Sequence, residues 1–280
     1  MSRCRVAIFM LALIAMPALT ACAGDIGPTQ SFPINVPKPA DPSEVWDVEL
    51  YPGAASVTVG SSGEGIVQGT IDYNVESLKP TVTIGERRVS ISQDLKGVLP
   101  INSRNEWRLQ LGRGVRMNLT VNTGASSGEW DLSGLSLKRL GWVQGAADAS
   151  LKFSLPNPER LDSFTVNGGA ASLTLRGLAN ANISSGNITA GAGALTLVFD
   201  GQLAGDTEIT LDGGVASIAI YTGGNPVQLV SEGPLKSIEA SGWTQSDNTY
   251  TSPEWATASG PRITITARLG VAALKLITGD

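Results

Sequence analysis

The chain has 280 residues, with 20 Lys and Arg against 25 Asp and Glu and a formal net charge of −5. It contains no His, and its two Cys are Cys4 and Cys22. Without His, the usual general base near neutral pH and the commonest metal ligand are gone, so serine-hydrolase triads and zinc sites are not expected; an acidic balance also disfavours nucleic acid as a partner.

Arg3 and Arg5 precede an apolar run from Val6 to Leu19, broken only by Pro17. A charged start, a short apolar stretch and small residues before a cut predict a signal peptide over residues 1–21. The run has 14 residues, short of the about 20 needed to span a hydrocarbon core. It ends in Leu19-Thr20-Ala21-Cys22, which resembles the bacterial lipobox. That resemblance implies diacylglycerol on the Cys22 thiol and cleavage just before it. It also implies an extracytoplasmic protein anchored to the cell membrane, or to an outer membrane where one exists. Ala23 succeeds the Cys, where an Asp would argue for retention at the inner membrane of a proteobacterium. Loss of residues 1–21 leaves 18 basic against 25 acidic residues, a net of −7, and no second Cys. No disulfide, metal or other cofactor is then expected. Such a surface repels anionic headgroups, so attachment rests on acyl chains, of which stable anchoring needs more than one.

Residues 22–45 begin with the lipidated Cys and contain Pro28, Pro33, Pro37, Pro39 and Pro42. Pro fixes φ and favours extended geometry, which predicts a linker, either a semi-rigid spacer or a disordered tether. Residues 46–122 read as an N-terminal β region rich in hairpins. Thr81–Ile84 and Val89–Ile91 flank Gly85-Glu86-Arg87-Arg88, and Trp107–Leu111 and Met117–Val121 flank Gly112-Arg113-Gly114.

Residues 123–280 repeat. Copies start at Gly124, Ala147, Gly169, Gly191, Gly214, Pro234 and Gly270, separated by 23, 22, 22, 23, 20 and 36 residues. Gly169-Ala-Ala-Ser-Leu173 and Gly214-Val-Ala-Ser-Ile218 show the pattern, and Gly53-Ala-Ala-Ser-Val57 repeats it near the front. Each unit reads as strand, Gly turn, strand, loop. A coil of about 22 residues cannot bury its own Leu, Ile and Val, whereas stacked coils can. The fold class expected is all-β: a single-stranded β-solenoid behind the hairpin-rich part, its coils in register from about Gly124 to Leu276. The 36-residue interval holds Trp243, Tyr250 and Trp255 and reads as an insertion or end cap.

The Gly-[Ala/Val]-x-[Ala/Ser]-[Leu/Ile] repeats resemble the toast-rack domains of bacterial envelope proteins, which are related to adhesin-like domains and to the extracytoplasmic part of cell-wall-antibiotic response proteins. Asn105-Glu-Trp-Arg-Leu-Gln-Leu111 looks like the family's Asn-x-Trp-x-Leu-x-Leu segment. Trp130-Asp-Leu-Ser-Gly-Leu135 looks like its next step, with Trp130 in place of an aliphatic residue. The resemblance spans roughly residues 46–278 and brings no catalytic residues with it.

No helix follows Gly168-Gly169 or Gly213-Gly214, so neither reads as a nucleotide loop, and no Asp keeps the register of a calcium β-roll. Asp131, Asp148, Asp200 and Asp212 are the carboxylates a carbohydrate-active β-helix would need to cluster; Asp at turns is usually a turn former. Trp243 and Trp255, in the long interval, are the candidate binding residues. The function expected is non-catalytic binding at the cell envelope: adhesion, or contact with an envelope protein or glycan. The alternatives are a sensor in an envelope-stress response and a carbohydrate-active enzyme.

Overall fold

A computed structural model describes residues 25–94, 99–232, 237–270 and 272–279, leaving aside the side chains of Ala171 and Val215. The signal peptide and Cys22 lie outside the described residues, as does part of the weak repeat at 234–238.

Successive side chains of a strand point to opposite sides, so the alternations bury one residue set and expose the other. Each coil lays its first strand on one face of the stack and its second on the other. The first face runs in spatial order β6 (Arg88–Ser92), β2 (Val45–Gly53), β8 (Arg116–Thr123) and β10 (Ser136–Gln144). It continues with the leading halves of β12 (Ser163–Arg176), β13 (Ser185–Val198) and β14 (Thr207–Tyr221), then β19 (Ile263–Leu269) and β15 (Val227–Glu232). The second face runs β7 (Asn105–Gly112), β3 (Ser56–Gly63), β9 (Ser127–Asp131) and β11 (Ala149–Lys152). The trailing halves of β12, β13 and β14 come next, then β20 (Ala273–Ile277) and β16 (Ser237–Glu239). All these pairings are parallel. Antiparallel strands close the ends. β5 (Thr81–Gly85) turns back on β6, and β1 (Gln30–Val36) pairs with β4 (Val67–Tyr73), which pairs with β7. At the other end β17 (Thr244–Ser246) pairs with β18 (Thr249–Thr251), and β18 covers the edge of β15.

The β-solenoid expected from the repeat is thus present. Leu173, Leu195 and Ile218 are buried neighbours in one row, as the repeat predicted. A second row joins Trp130, Leu151, Leu175, Leu197, Ile220 and Leu276, all at most 2% exposed. Trp130, which stands where the family pattern has an aliphatic residue, meets Trp142 edge-on, with ring centroids 4.7 Å apart and planes at 86°.

The repeated glycines mark the corner between the faces. A Cβ on Gly145 would collide with the carbonyl oxygen of Gly124, and one on Gly169 with that of Gly145. The column continues through Gly191, Gly214 and Gly270, each facing the carbonyl of the glycine one coil before. Neighbouring backbones approach too closely for a side chain at Gly145 and Gly169, and leave slightly more room toward Gly214 and Gly270.

Three expectations change. The linker expected over 22–45 contains β1, whose Ile34 and Val36 are buried in the core. Pro33 fits because β1 is an edge strand, where a missing N–H is tolerated. Stacking also does not begin at residue 123. The β2–β3 coil already sits between β6–β7 and β8–β9, and Gly112-Arg113-Gly114 turns a coil corner, because β7 and β8 lie on different faces. Finally, the coils are not stacked in chain order at the far end. β19–β20 slots between β14 and β15–β16. The long interval therefore holds the capping β17–β18 hairpin and the return of the chain.

Candidate functional site

The outer side of the first face is formed by the residues the core leaves out. Thr120, Gly141, Thr165, Asn187, Thr210 and Thr266 stand side by side across β8, β10, β12, β13, β14 and β19. At about 4.8 Å per strand the row is roughly 24 Å long. Parallel in-register coils produce such a row because one position of each repeat falls beside the same position of the next. Four of the six are Thr, whose branched Cβ restricts χ1 and suits a strand. Among the described residues, the side chains of Thr165, Asn187, Thr210 and Thr266 have no hydrogen-bond partner in the protein. Over β13, β14 and β19 the face dips into an open depression of about 520 Å³ lined by Ser185, Asn187, Glu208, Thr210, Thr264 and Thr266. Glu208 is the one charged residue in that lining.

A charge cluster lies on the second face. Arg108 pairs with Asp72 and with Glu106, and Arg104 reaches the same two carboxylates. Hydrogen bonds from Ser31 first and Arg108 next hold the Asp72 carboxyl below the usual carboxylate range. The cluster ties β1, β4 and β7 together.

Trp243 and Trp255, expected as binding residues, are both half-buried, which corrects their expected exposure. Trp243 packs against the core with its indole N–H enclosed and unpaired. Trp255 lies under the Arg262 guanidinium, 4.8 Å from the ring centroid. Both belong to the capping end of the stack. Cys22 is outside the described residues. The four Asp do not come together. Asp131 Oδ1 accepts the Ser133 N–H, Asp148 Oδ1 that of Ser172, and Asp200 Oδ1 that of Gly177. Asp212 projects from β14 beside Arg268. Asp131 and Asp200 share a corner but are three strands apart, roughly 14 Å at the usual spacing, beyond the about 9.5 Å that two glycosidase carboxyls span. Among the described residues no three His, Cys, Asp or Glu side chains gather in a metal-binding group.

Sequence reasoning missed a buried polar knot at the β7 end. Gln93 and Asn105 exchange amide hydrogen bonds, Asn105 Nδ2 also donates to the Ala54 carbonyl, and Trp107 Nε1 donates to Gln93 Oε1. It also missed Asn157 and Asn180, which bond backbone groups of neighbouring coils at the corner opposite the glycines. Their only signal was Asn in a loop between apolar runs.

The profile described as the N-terminal domain of toast_rack matches residues 25–176, just over half of the chain. The chain belongs to the toast-rack family. Its match starts before β1 and crosses the 122/123 boundary, in keeping with continuous stacking. No curated protein matches this toast-rack chain. Solved structures resemble it at low identity. A candidate cell adhesion protein from Clostridium sporogenes ATCC 15579 is 17% identical, with a TM-score of 0.48, over 89% of this chain and 99% of that one. A candidate adhesin from Bacteroides fragilis NCTC 9343 is 9% identical, with a TM-score of 0.41, over 89% and 97%. One from Parabacteroides distasonis ATCC 8503 is 11% identical, with a TM-score of 0.34, over 91% and 99%.

Proposed function

We propose that this toast-rack protein is lipid-anchored through Cys22 on the outer side of a bacterial membrane and acts there by binding, without catalysis, in adhesion or in contact with another envelope component. The observation that carries the binding role is the long, rigid, unpartnered polar row on the first face. Of the Asp residues that an enzyme would need, Asp131, Asp148 and Asp200 each accept a backbone N–H, and Asp212 stands on β14 beside Arg268. The anchor rests on the lipobox at Leu19–Cys22.

Such an anchor orients the molecule. The Gly27 N–H donates to the Asn74 carbonyl beside β4. Five residues of extended chain reach at most about 18 Å, so a lipid on Cys22 holds the β1–β5 end near the membrane. The β17–β18 cap points away, and the polar row runs outward between them.

The test is binding of the fluorescently labelled protein to isolated envelopes and whole cells, beside a turnover screen on polysaccharides. Saturable envelope or cell binding with no turnover is expected. Turnover that Asp131→Asn, Asp148→Asn, Asp200→Asn or Asp212→Asn abolishes replaces the reading with an enzyme.

A further inference from the structure

We infer that the outer side of the first face is a docking surface for an uncharged polysaccharide chain, laid across β13, β14 and β19. The inference rests on the binding role proposed above and names the class of ligand.

The chemistry of the row selects the partner. Protein interfaces take their energy from buried aromatic, Arg and large apolar anchors. Thr165, Asn187, Thr210 and Thr266 offer instead short hydroxyl and amide groups, none engaged within the protein. Such groups donate and accept at once, which matches a polymer whose own surface is hydroxyl groups. Charge narrows the choice further. Glu208 stands alone as a charge in the depression, the next outward row sets Asp212 beside Arg268, and the chain as a whole is net negative. An anionic polymer meets repulsion there and an uncharged one does not.

Spacing makes the fit repetitive. A chain crossing the strands meets a new side chain about every 4.8 Å, a step close to the length of one sugar residue. The row is pre-organised, because β-branched side chains on a hydrogen-bonded sheet lose little freedom on binding. The depression of about 520 Å³ lets the polymer sink between the rows headed by Glu208 and Thr210. Each hydrogen bond contributes modestly, and many along one polymer add by effective concentration.

The experiment uses the full-length protein in affinity electrophoresis through gels holding a soluble neutral β-glucan, a soluble mannan or polygalacturonate. Thr210→Val with Thr266→Val removes two hydroxyls while keeping shape and strand propensity. Thr196→Val makes the same change on the second face, and melting curves establish that each variant folds. The expected result is retardation of the wild type by at least one neutral glycan. The double variant weakens it about three- to tenfold per lost bond, and Thr196→Val leaves it unchanged. No retardation by either neutral glycan, equal retardation of the double variant, or stronger retardation by polygalacturonate overturns the inference. Envelope binding that persists without neutral-glycan retardation removes this ligand and leaves the binding role standing. Loss of both removes the binding role as well.

Discussion

Leu274 lies in parallel register beside Ile218, although 55 residues separate them in the chain, and Ile238 flanks it on the other side. The last coil is therefore wedged into the stack instead of resting on its end. The β2–β3 coil is wedged in the same way at the opposite end. Leu274 is 2% exposed between two neighbours, so Leu274→Ala should cost about 2–5 kcal/mol, as for an interior core residue. Urea unfolding measures it. A cost under about 1 kcal/mol would mean that the final coil frays and is not wedged.

The Gln93–Asn105 knot carries a second prediction. Asn105→Ala takes one bond from each end of the Gln93 amide, which keeps the Leu78 carbonyl and the Trp107 indole as partners, and it leaves the Ala54 carbonyl without its amide donor. Leaving such a group unpaired costs about 1–3 kcal/mol. Gln93→Ala should cost a similar amount. The double change should cost less than the two added together, because the residues share bonds. A double-mutant cycle on unfolding midpoints checks this; simple additivity would mean that the two amides act independently.

The repeats were readable because their cause is local. Alternation placed Leu173, Leu195 and Ile218 inward, and close backbone contact at the corner leaves glycine at Gly169, Gly191 and Gly214. Coil order was not readable. A coil wedged between two others carries the same pattern as one stacked in sequence, so nothing in Ile263–Ile277 points to β14 over β15. β1 was hidden by its proline, since Pro33 signals a linker unless the strand is known to be an edge. The exposure of Trp243 and Trp255 was misread because the interval looked like a loop, whereas its hairpin caps the sheet. The row Thr165–Asn187–Thr210–Thr266 was in the repeat all along, but it becomes one surface only once the register is fixed.

Acid should reveal Asp72. The Ser31 and Arg108 hydrogen bonds lower its folded pKa beneath the unfolded value of about 3.9. Its stabilising contribution is therefore complete above the unfolded value and is lost as pH falls through the folded value. Asp72→Asn should be less stable than wild type at pH 7, and the gap should close below about pH 4. Urea midpoints for both proteins between pH 7 and pH 2.5 test it. A gap that stays constant across that range would show that the carboxylate charge plays no part.

Processing at Cys22 is checked directly. Cys22→Ser should abolish incorporation of a radioactive fatty acid and leave an unprocessed precursor or a protein released from the membrane. Equal label on wild type and variant would refute the lipid anchor, and the orientation with the β1–β5 end toward the membrane would go with it.

The glycine column predicts a ranking. Gly145 and Gly169 leave least room, because an added Cβ would strike a backbone carbonyl that is itself hydrogen-bonded to the next coil. Neither partner can turn aside as a side chain would. A Cβ on Gly214 would stand 3.0 Å from the Gly191 oxygen, and one on Gly270 would stand 3.2 Å from the Gly214 oxygen. Shifts of a few tenths of an ångström accommodate those. Gly145→Ala and Gly169→Ala should therefore cost about 1–3 kcal/mol by overpacking. Gly214→Ala and Gly270→Ala should cost clearly less, because Ala also lowers the entropy of the unfolded chain and recovers part of the loss. None of the four has the positive φ that would penalise Ala by itself, so the comparison isolates the close approach. Thermal unfolding of the four single variants side by side gives the order. If Gly270→Ala falls as far as Gly145→Ala, coil-to-coil contact at this corner does not explain the repeated glycine.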